Sequence, residues 1–170
     1  KVWLEIRPEQ FDAPFFFAYN IPRSIGERGL YGSQMGRSHI AFLRRIGERV
    51  QLVARNEEFF AAQGTPQARF VAESFSDSLI ASASLAALPN PDTQAVIIEA
   101  SALLLADIPG YLTRLERAFR LPYLLDARNS AIVEVNNGER LTGLQVRAHY
   151  AISKLPAPPL ATTGTPTDSL

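Results

Sequence analysis

The sequence predicts a mainly β fold, an antiparallel β-sandwich-like sheet domain with one or two short helices, and three stretches carry that reading. In His39 to Phe60, Ile40, Phe42, Arg44 and Ile46 share one parity, and Val50, Leu52 and Ala54 repeat the alternation beyond a turn at Gly47-Glu48. That pattern predicts the central ribbon of a sheet with an apolar face to bury. A second hairpin is predicted where Ala131 to Val135 and Leu141 to Ile152 flank Asn136-Asn-Gly-Glu-Arg, with Asn137-Gly138 supplying positive-φ turn chemistry. The third stretch, Ala95-Val-Ile-Ile-Glu-Ala, has the β-branched content of a buried strand. A two-stranded ribbon is marginal in water, so these pieces must pack on one another.

With 170 residues, 46% of them hydrophobic and 20% charged, the chain is long enough for one domain with its own core. The predicted division is a single β-rich domain over residues 1–154 and a Pro/Ala/Thr-rich linker or tail over 155–170, where Pro156, Pro158, Pro159 and Pro166 recur. Seventeen basic and seventeen acidic residues cancel, which gives no general pull toward nucleic acid or anionic lipid. The absence of cysteine excludes a disulfide framework, a thiolate nucleophile and any cysteine-based metal centre, without fixing a compartment. No apolar run reaches the roughly 18 residues of a membrane span. The chain opens inside a strand pattern without an initiator Met, and the expectation is a segment of a longer protein.

In chain order, Val2, Leu4 and Ile6 alternate with Trp3, Glu5 and Arg7 until Pro8, which cannot donate to a ladder, ends the strand. Phe15 to Ile21 forms a second strand stopped by Pro22. Its three adjacent phenylalanines put bulk on both faces, which predicts cover on both sides, with a ligand-stacking platform as the alternative. Gly26, Gly29, Gly32 and Gly36 punctuate a predicted surface loop up to His39. A phosphate loop is disfavoured: Gly32 to Gly36 is one residue short of G-x-x-x-x-G-K-[ST] and Arg37 stands where lysine belongs. Arg23, Arg28 and Arg37 are expected to be solvated, with capture of an anionic group as the alternative. Gln63-Gly-Thr-Pro marks a turn. Between Phe70 and Leu88, alanine content favours helix and the alternation of Leu79, Ala81, Ala83 and Leu85 with serines favours strand, so both stay open. After the break at Pro89-Asn-Pro-Asp and the buried strand, a helical turn is predicted through Ser101 to Asp107. A helix opened by Pro109 then runs to about Arg120, with Leu112, Leu115 and Phe119 on one side and Arg114, Arg117 and Arg120 on another.

Catalytic signatures are missing from this pattern. The chain has two histidines, His39 and His149, each on a predicted strand, and no H-E-x-x-H, so neither is assigned as a metal ligand. Ser38 beside His39 on one strand points to the opposite face, and no G-x-S-x-G elbow occurs. Glu57, Glu58, Glu99, Asp107 and Asp126 cannot be paired from sequence as acid and base. Asp107 before Ile-Pro-Gly and Asp126 in Asp-Ala-Arg-Asn-Ser are expected to be turn or capping residues, Asp126 in contact with Arg128 or Asn129. No catalytic, cofactor-binding or metal residue is assigned.

Seven phrases in order carry a resemblance: Val2-Trp-Leu-Glu-Ile-Arg-Pro-Glu-Gln-Phe-Asp, Pro14-Phe-Phe-Phe-Ala, Gly32 to Gly36 with Arg37, Val50-Gln-Leu-Val-Ala-Arg-Asn, Ser74-Phe-Ser-Asp-Ser-Leu, Ala106-Asp-Ile-Pro-Gly-Tyr and Leu125-Asp-Ala-Arg-Asn-Ser. Over residues 1 to 160 they resemble the domain of unknown function that precedes the catalytic domain of bacterial zinc-dependent, metzincin-like metallopeptidases. The resemblance implies a periplasmic or secreted parent enzyme whose zinc lies in a catalytic domain outside this chain. It implies for this chain a non-catalytic accessory role, docking on that domain or shaping access to it, and no zinc-binding residue carries over. The alternative is a free-standing peptide- or glycan-binding β module.

Overall fold

The computed structural model describes residues 1–152; the stretch 155–170 expected as a linker or tail lies outside the described residues. The fold is mainly β, with several antiparallel sheets and three short α-helices. Its largest sheet has four strands in the order β2 (Phe15–Ile21), β3 (Gln34–Ile46), β4 (Arg49–Ala54) and β5 (Ser78–Ser84). β1 (Trp3–Ile6) pairs with β6 (Val96–Glu99) in a separate ribbon. These two layers enclose the main core and give the fold its sandwich-like character.

The β3–β4 hairpin is central, as its alternation predicts, and Ile46 pairs with Arg49 across a two-residue turn. Gly47 takes φ +57 at the first turn position, the conformation that the II′ class places there because it matches the strand twist. The register corrects the single apolar face. Phe42 lies opposite Val53 and Leu43 opposite Leu52, so the even residues of β3 share a face with the odd residues of β4. Both faces are therefore apolar. Ala41, Leu43, Val50 and Leu52 face the core, while Phe42 at 7% exposure and Val53 at 5% are buried on the other side. The Arg44 guanidinium covers part of that outer face, 4.7 Å from the Phe42 ring.

β2 departs from the expectation of cover on both sides. It pairs with β3 alone among the described residues, and Phe16 on the outer face is 70% exposed while Phe17 packs against the core. The reason is position: an edge strand of a sheet packed on one side has one wet face. β3 also begins earlier than the glycine pattern implies, at Gln34, so the loop ends at Ser33.

The segment left open resolves into both alternatives. Helix α1 (Pro66–Ser74) starts at Thr65, whose hydroxyl accepts the Ala68 amide at 3.2 Å with Pro66 in the first turn, and β5 follows. A bulge at Leu52/Val53 shifts the β4–β5 register. β5 then turns the corner through a bridge from Leu85 to Ile98 and an Ala86 amide bond to the Ile97 carbonyl at 2.8 Å. Val96, Ile98 and Ile6 of the ribbon and Leu103 of α2 (Ala100–Leu104) close on Val50, Leu52, Ala81 and Ala83.

Beyond the first layer, α3 (Tyr111–Phe119) starts two residues after Pro109, and with Leu30 from the glycine-rich loop it centres a second cluster. A short ribbon of β7 (Tyr123–Leu125) and β10 (Tyr150–Ile152) packs beside it. The predicted strand Leu141 to Ile152 is broken in two: β9 (Thr142–Arg147) pairs with β8 (Ala131–Asn137), and after Ala148 the chain crosses to β7. The turn differs as well. Asn137 pairs with Thr142 across a four-residue loop, neither Asn137 nor Gly138 has positive φ, and the Gly138 amide bonds the Leu141 carbonyl at 2.9 Å. A longer loop relieves the need for left-handed residues that a two-residue turn imposes.

Candidate functional site

The length difference between β3 and β4 creates the most distinctive feature of the surface. β4 ends at Ala54, opposite Ala41, whereas β3 extends back to Gln34 and is paired there only with β2. Between this overhang, the start of β5 and the connection from α2 to α3 lies an open cleft of about 330 Å³. Tyr19, Arg37 and His39 line its polar side from β2 and β3; the rest is lined by Ile80 from β5 with Leu79 at the rim, and by Ala106 and Ile108 from the α2–α3 connection, with Asp107 between the last two. The volume is at the small end for ligand sites.

Two local features place the polar side. Ala18 pairs with Ser38 and Asn20 with Met35, so Tyr19 stands opposite both Gly36 and Arg37 in a β-bulge. Bulges bend a strand and re-aim its side chains. Gly36 is required by contact: a Cβ there would overlap the Tyr19 ring, which lies flat on the glycine. Arg37 is exposed and His39 half-buried, and neither makes a side-chain hydrogen bond or ion pair among the described residues. The cleft therefore presents uncommitted donors.

Asp107 is committed. Its Oδ1 accepts the Tyr111 amide and the Tyr150 hydroxyl, both at 2.8 Å, and its Oδ2 accepts the Leu112 amide at 3.0 Å. It sits at φ +48, a left-handed conformation that aspartate tolerates better than most residues, and caps α3 with the negative charge its N-terminus favours. Burial and donation to this carboxylate both push the Tyr150 hydroxyl far above the ordinary tyrosine range. The capping role expected from sequence is the one Asp107 fills.

Asp126 also has the structural role expected of it. Its carboxylate accepts the Asn129 side-chain amide at 2.6 Å and the Arg128 amide at 3.1 Å, and His149 Nδ1 lies 3.4 Å from Oδ2. The Asn129 bond, with the backbone amides and His149, holds the carboxyl below its usual range. Glu57 accepts the Ile40 amide at 3.2 Å, and Glu99 accepts the Ser101 hydroxyl at 2.8 Å, the main reason its carboxyl is lowered. His39 lies on β3, but His149 falls in the link between β9 and β10 rather than on the strand predicted for it, and no group of three or more histidine or carboxylate side chains among the described residues is arranged to hold a metal ion.

The arginines divide. Arg28 donates to the Ala118 carbonyl at 2.9 Å in the last turn of α3 and stacks on Phe119, tying the glycine-rich loop to the helix. Arg114 bonds Gln34 at 2.7 Å and lies over Tyr111, so it leaves the expected stripe, while Arg117 and Arg120 border an exposed groove with Thr113 and Glu116. Sequence reasoning weighed Arg37 and His39 separately and missed Tyr19. The sequence carries no signal that sets Tyr19 on Gly36, since that contact arises across the β2–β3 ladder, where an aromatic ring covers a strand glycine.

No helix among the described residues is long and apolar enough to cross a membrane. No family model matches this chain, and no match to it was found among curated proteins or solved structures.

Proposed function

We propose that the chain is a non-catalytic, β-rich accessory domain that docks on a catalytic domain of the zinc-dependent metallopeptidase type its ordered phrases resemble. The observation that supports this reading most is the disposition of its acids and its apolar surface together. Asp107 and Asp126 hold backbone amides rather than facing each other across a cleft. Large apolar side chains meanwhile stand at the surface: Phe16 and Leu79 on the four-stranded sheet, and Phe60 and Phe70 before and within α1. Such side chains gain by being covered. The docking partner is the parent's own catalytic domain, periplasmic or secreted, and the zinc belongs there.

The test compares the parent enzyme with a version lacking residues 1–152, measuring bound zinc and peptide hydrolysis. The expected result is retained zinc with lost or redirected cleavage. Unchanged zinc and unchanged cleavage together overturn the accessory reading. A peptide-binding module is the second reading, favoured by the free edge of β2, which offers unpaired backbone groups to an added strand. Saturable binding of an extended peptide by the chain, unchanged in Arg37→Gln, would favour it.

A further inference from the structure

We propose that the cleft at the β3 overhang is a binding site for a carboxylate that carries an apolar substituent, as the last residue of a peptide does. This goes beyond docking on a catalytic domain and does not depend on it. The polar side offers three different donors: the planar guanidinium of Arg37, which matches a carboxylate in two parallel bonds, the His39 imidazole and the Tyr19 hydroxyl. Arg37 has no acidic partner within ion-pair distance among the described residues. An arginine with a free guanidinium, facing a cavity, attracts an anion.

The carboxylate that lines the cleft, Asp107, does not fill that role. Its oxygens already accept two amides at the start of α3 and the Tyr150 hydroxyl, and those donors offset its charge. The opposite wall selects what the anion carries. Ile80 lines the cleft from β5 with Ala106 and Ile108 of the α2–α3 connection and meets the donors with hydrocarbon, whereas Leu79 pairs with Val53 and turns its exposed side chain to the outer face of the sheet. A bare inorganic anion would leave that wall wet; a carboxylate with a branched aliphatic group covers it. The volume of about 330 Å³ accommodates one such residue rather than a chain.

The backbone is built for this placement. The bulge at Gly36 and Arg37 offsets the register so that Tyr19 lies on the glycine, beside Arg37 and His39 at the cleft. β4 stops at Ala54 and leaves the space open.

The test is calorimetric titration of the chain with three probes: a hexapeptide ending in leucine with a free carboxylate, the same peptide amidated, and isovalerate. The expected result is saturable binding of the free-acid peptide and a loss of about tenfold or more on amidation, since one charge-assisted contact pair disappears. Arg37→Gln should weaken the free-acid peptide by a similar factor, and Arg37→Lys should retain part of the affinity. Arg37 is exposed, so both variants should keep the wild-type melting temperature. Isovalerate decides the source of the carboxylate: binding as tight as the peptide's identifies a small acid, and much weaker binding identifies a chain terminus. Equal affinity for acid and amide, unchanged affinity in Arg37→Gln, or no binding by any probe at millimolar concentration overturns the proposal.

Discussion

Nine side chains are buried between the four-stranded sheet and the β1–β6 ribbon, all of them aliphatic, from Ile6 and Ala41 to Ile98 and Leu103. The cluster on α3 buries three, Leu30, Tyr111 and Leu115, and rims them with Tyr123, Tyr150 and Phe119. The first excludes water by packing alone. The second closes through hydroxyls: Ser24 donates to the Leu30 carbonyl at 2.8 Å, leaving Tyr111 to donate to the Ser24 oxygen, and Tyr150 donates to Asp107. Packing tolerates small shifts of direction, whereas hydrogen bonds fix orientation. The difference separates a layer that supplies stability from one that sets the position of the α2–α3 connection, and with it one wall of the cleft.

The largest expected effect is in the first core. Ile98 is fully buried between the layers. Ile98→Ala should cost about 2–5 kcal/mol through lost transfer energy and the cavity left behind. The measurement is the urea midpoint with its slope held in view. Val135→Ala on the exposed β8–β9 hairpin is the control, expected within about 0.5 kcal/mol of wild type. Equal effects at the two sites would mean that the aliphatic layer does not dominate stability.

Asp107→Ala comes next. It removes two backbone caps and the partner of Tyr150, for an expected loss of about 1–3 kcal/mol. The effect should be local. Amide exchange should quicken in α3 and β7 while β3 and β4 amides keep their protection, because the aliphatic core is untouched. Uniform quickening would show that the two clusters open as one unit.

What was legible in the sequence follows the same division. Period-two alternation located β1, β3 and β4, an aromatic run located β2, β-branched content located β6 and a neighbouring turn sequence located β8, because each of these signals lies within or beside its own strand. Beyond the two hairpins, pairing partners were not legible, and neither was register. Which parity of β3 faces which parity of β4 depends on turn length, and the odd sum of Ile46 and Arg49 puts apolar residues on both faces. The break at Ala148 was hidden since Leu144, Val146 and Tyr150 keep one parity straight through it. The capping roles of Asp107 and Asp126 were readable because Asx geometry acts within a few residues. The cleft was not: it joins Tyr19, Arg37, Leu79 and Ile108, and only a bulge and the early end of β4 bring them together.

Tyr150 makes the comparison dependent on alkaline pH. Its folded-state ionisation lies far above the ordinary value near 10, so the neutral form contributes stability fully present below pH 10. Above that, the unfolded chain loses the proton while the folded chain keeps it, and stability falls as pH rises. Tyr150→Phe should be less stable than wild type at pH 8 and should decline less steeply between pH 9 and pH 11. Parallel declines would mean that the hydroxyl is not held by Asp107.

The smallest expected effect is at the acid end, in the turn that joins β7 to β8. Asp126 is held below its ordinary range chiefly by the Asn129 side-chain amide, so the folded state binds its proton less tightly than the unfolded chain does. Its contribution is present above the unfolded value near 4 and is lost as pH falls through the folded value. The turn also anchors β10: the Asp126 amide bonds the His149 carbonyl and the His149 amide bonds the Ser130 hydroxyl, at 2.8 and 2.9 Å. Protonation should therefore loosen the β7–β10 ribbon before it affects the four-stranded sheet. Following amide signals from pH 5 to pH 2.5 checks the order, and Asn129→Ala should move the Asp126 titration upward. If the sheet amides change at or before the pH at which the ribbon does, acid sensitivity resides in the first layer, and this turn has no special part in it.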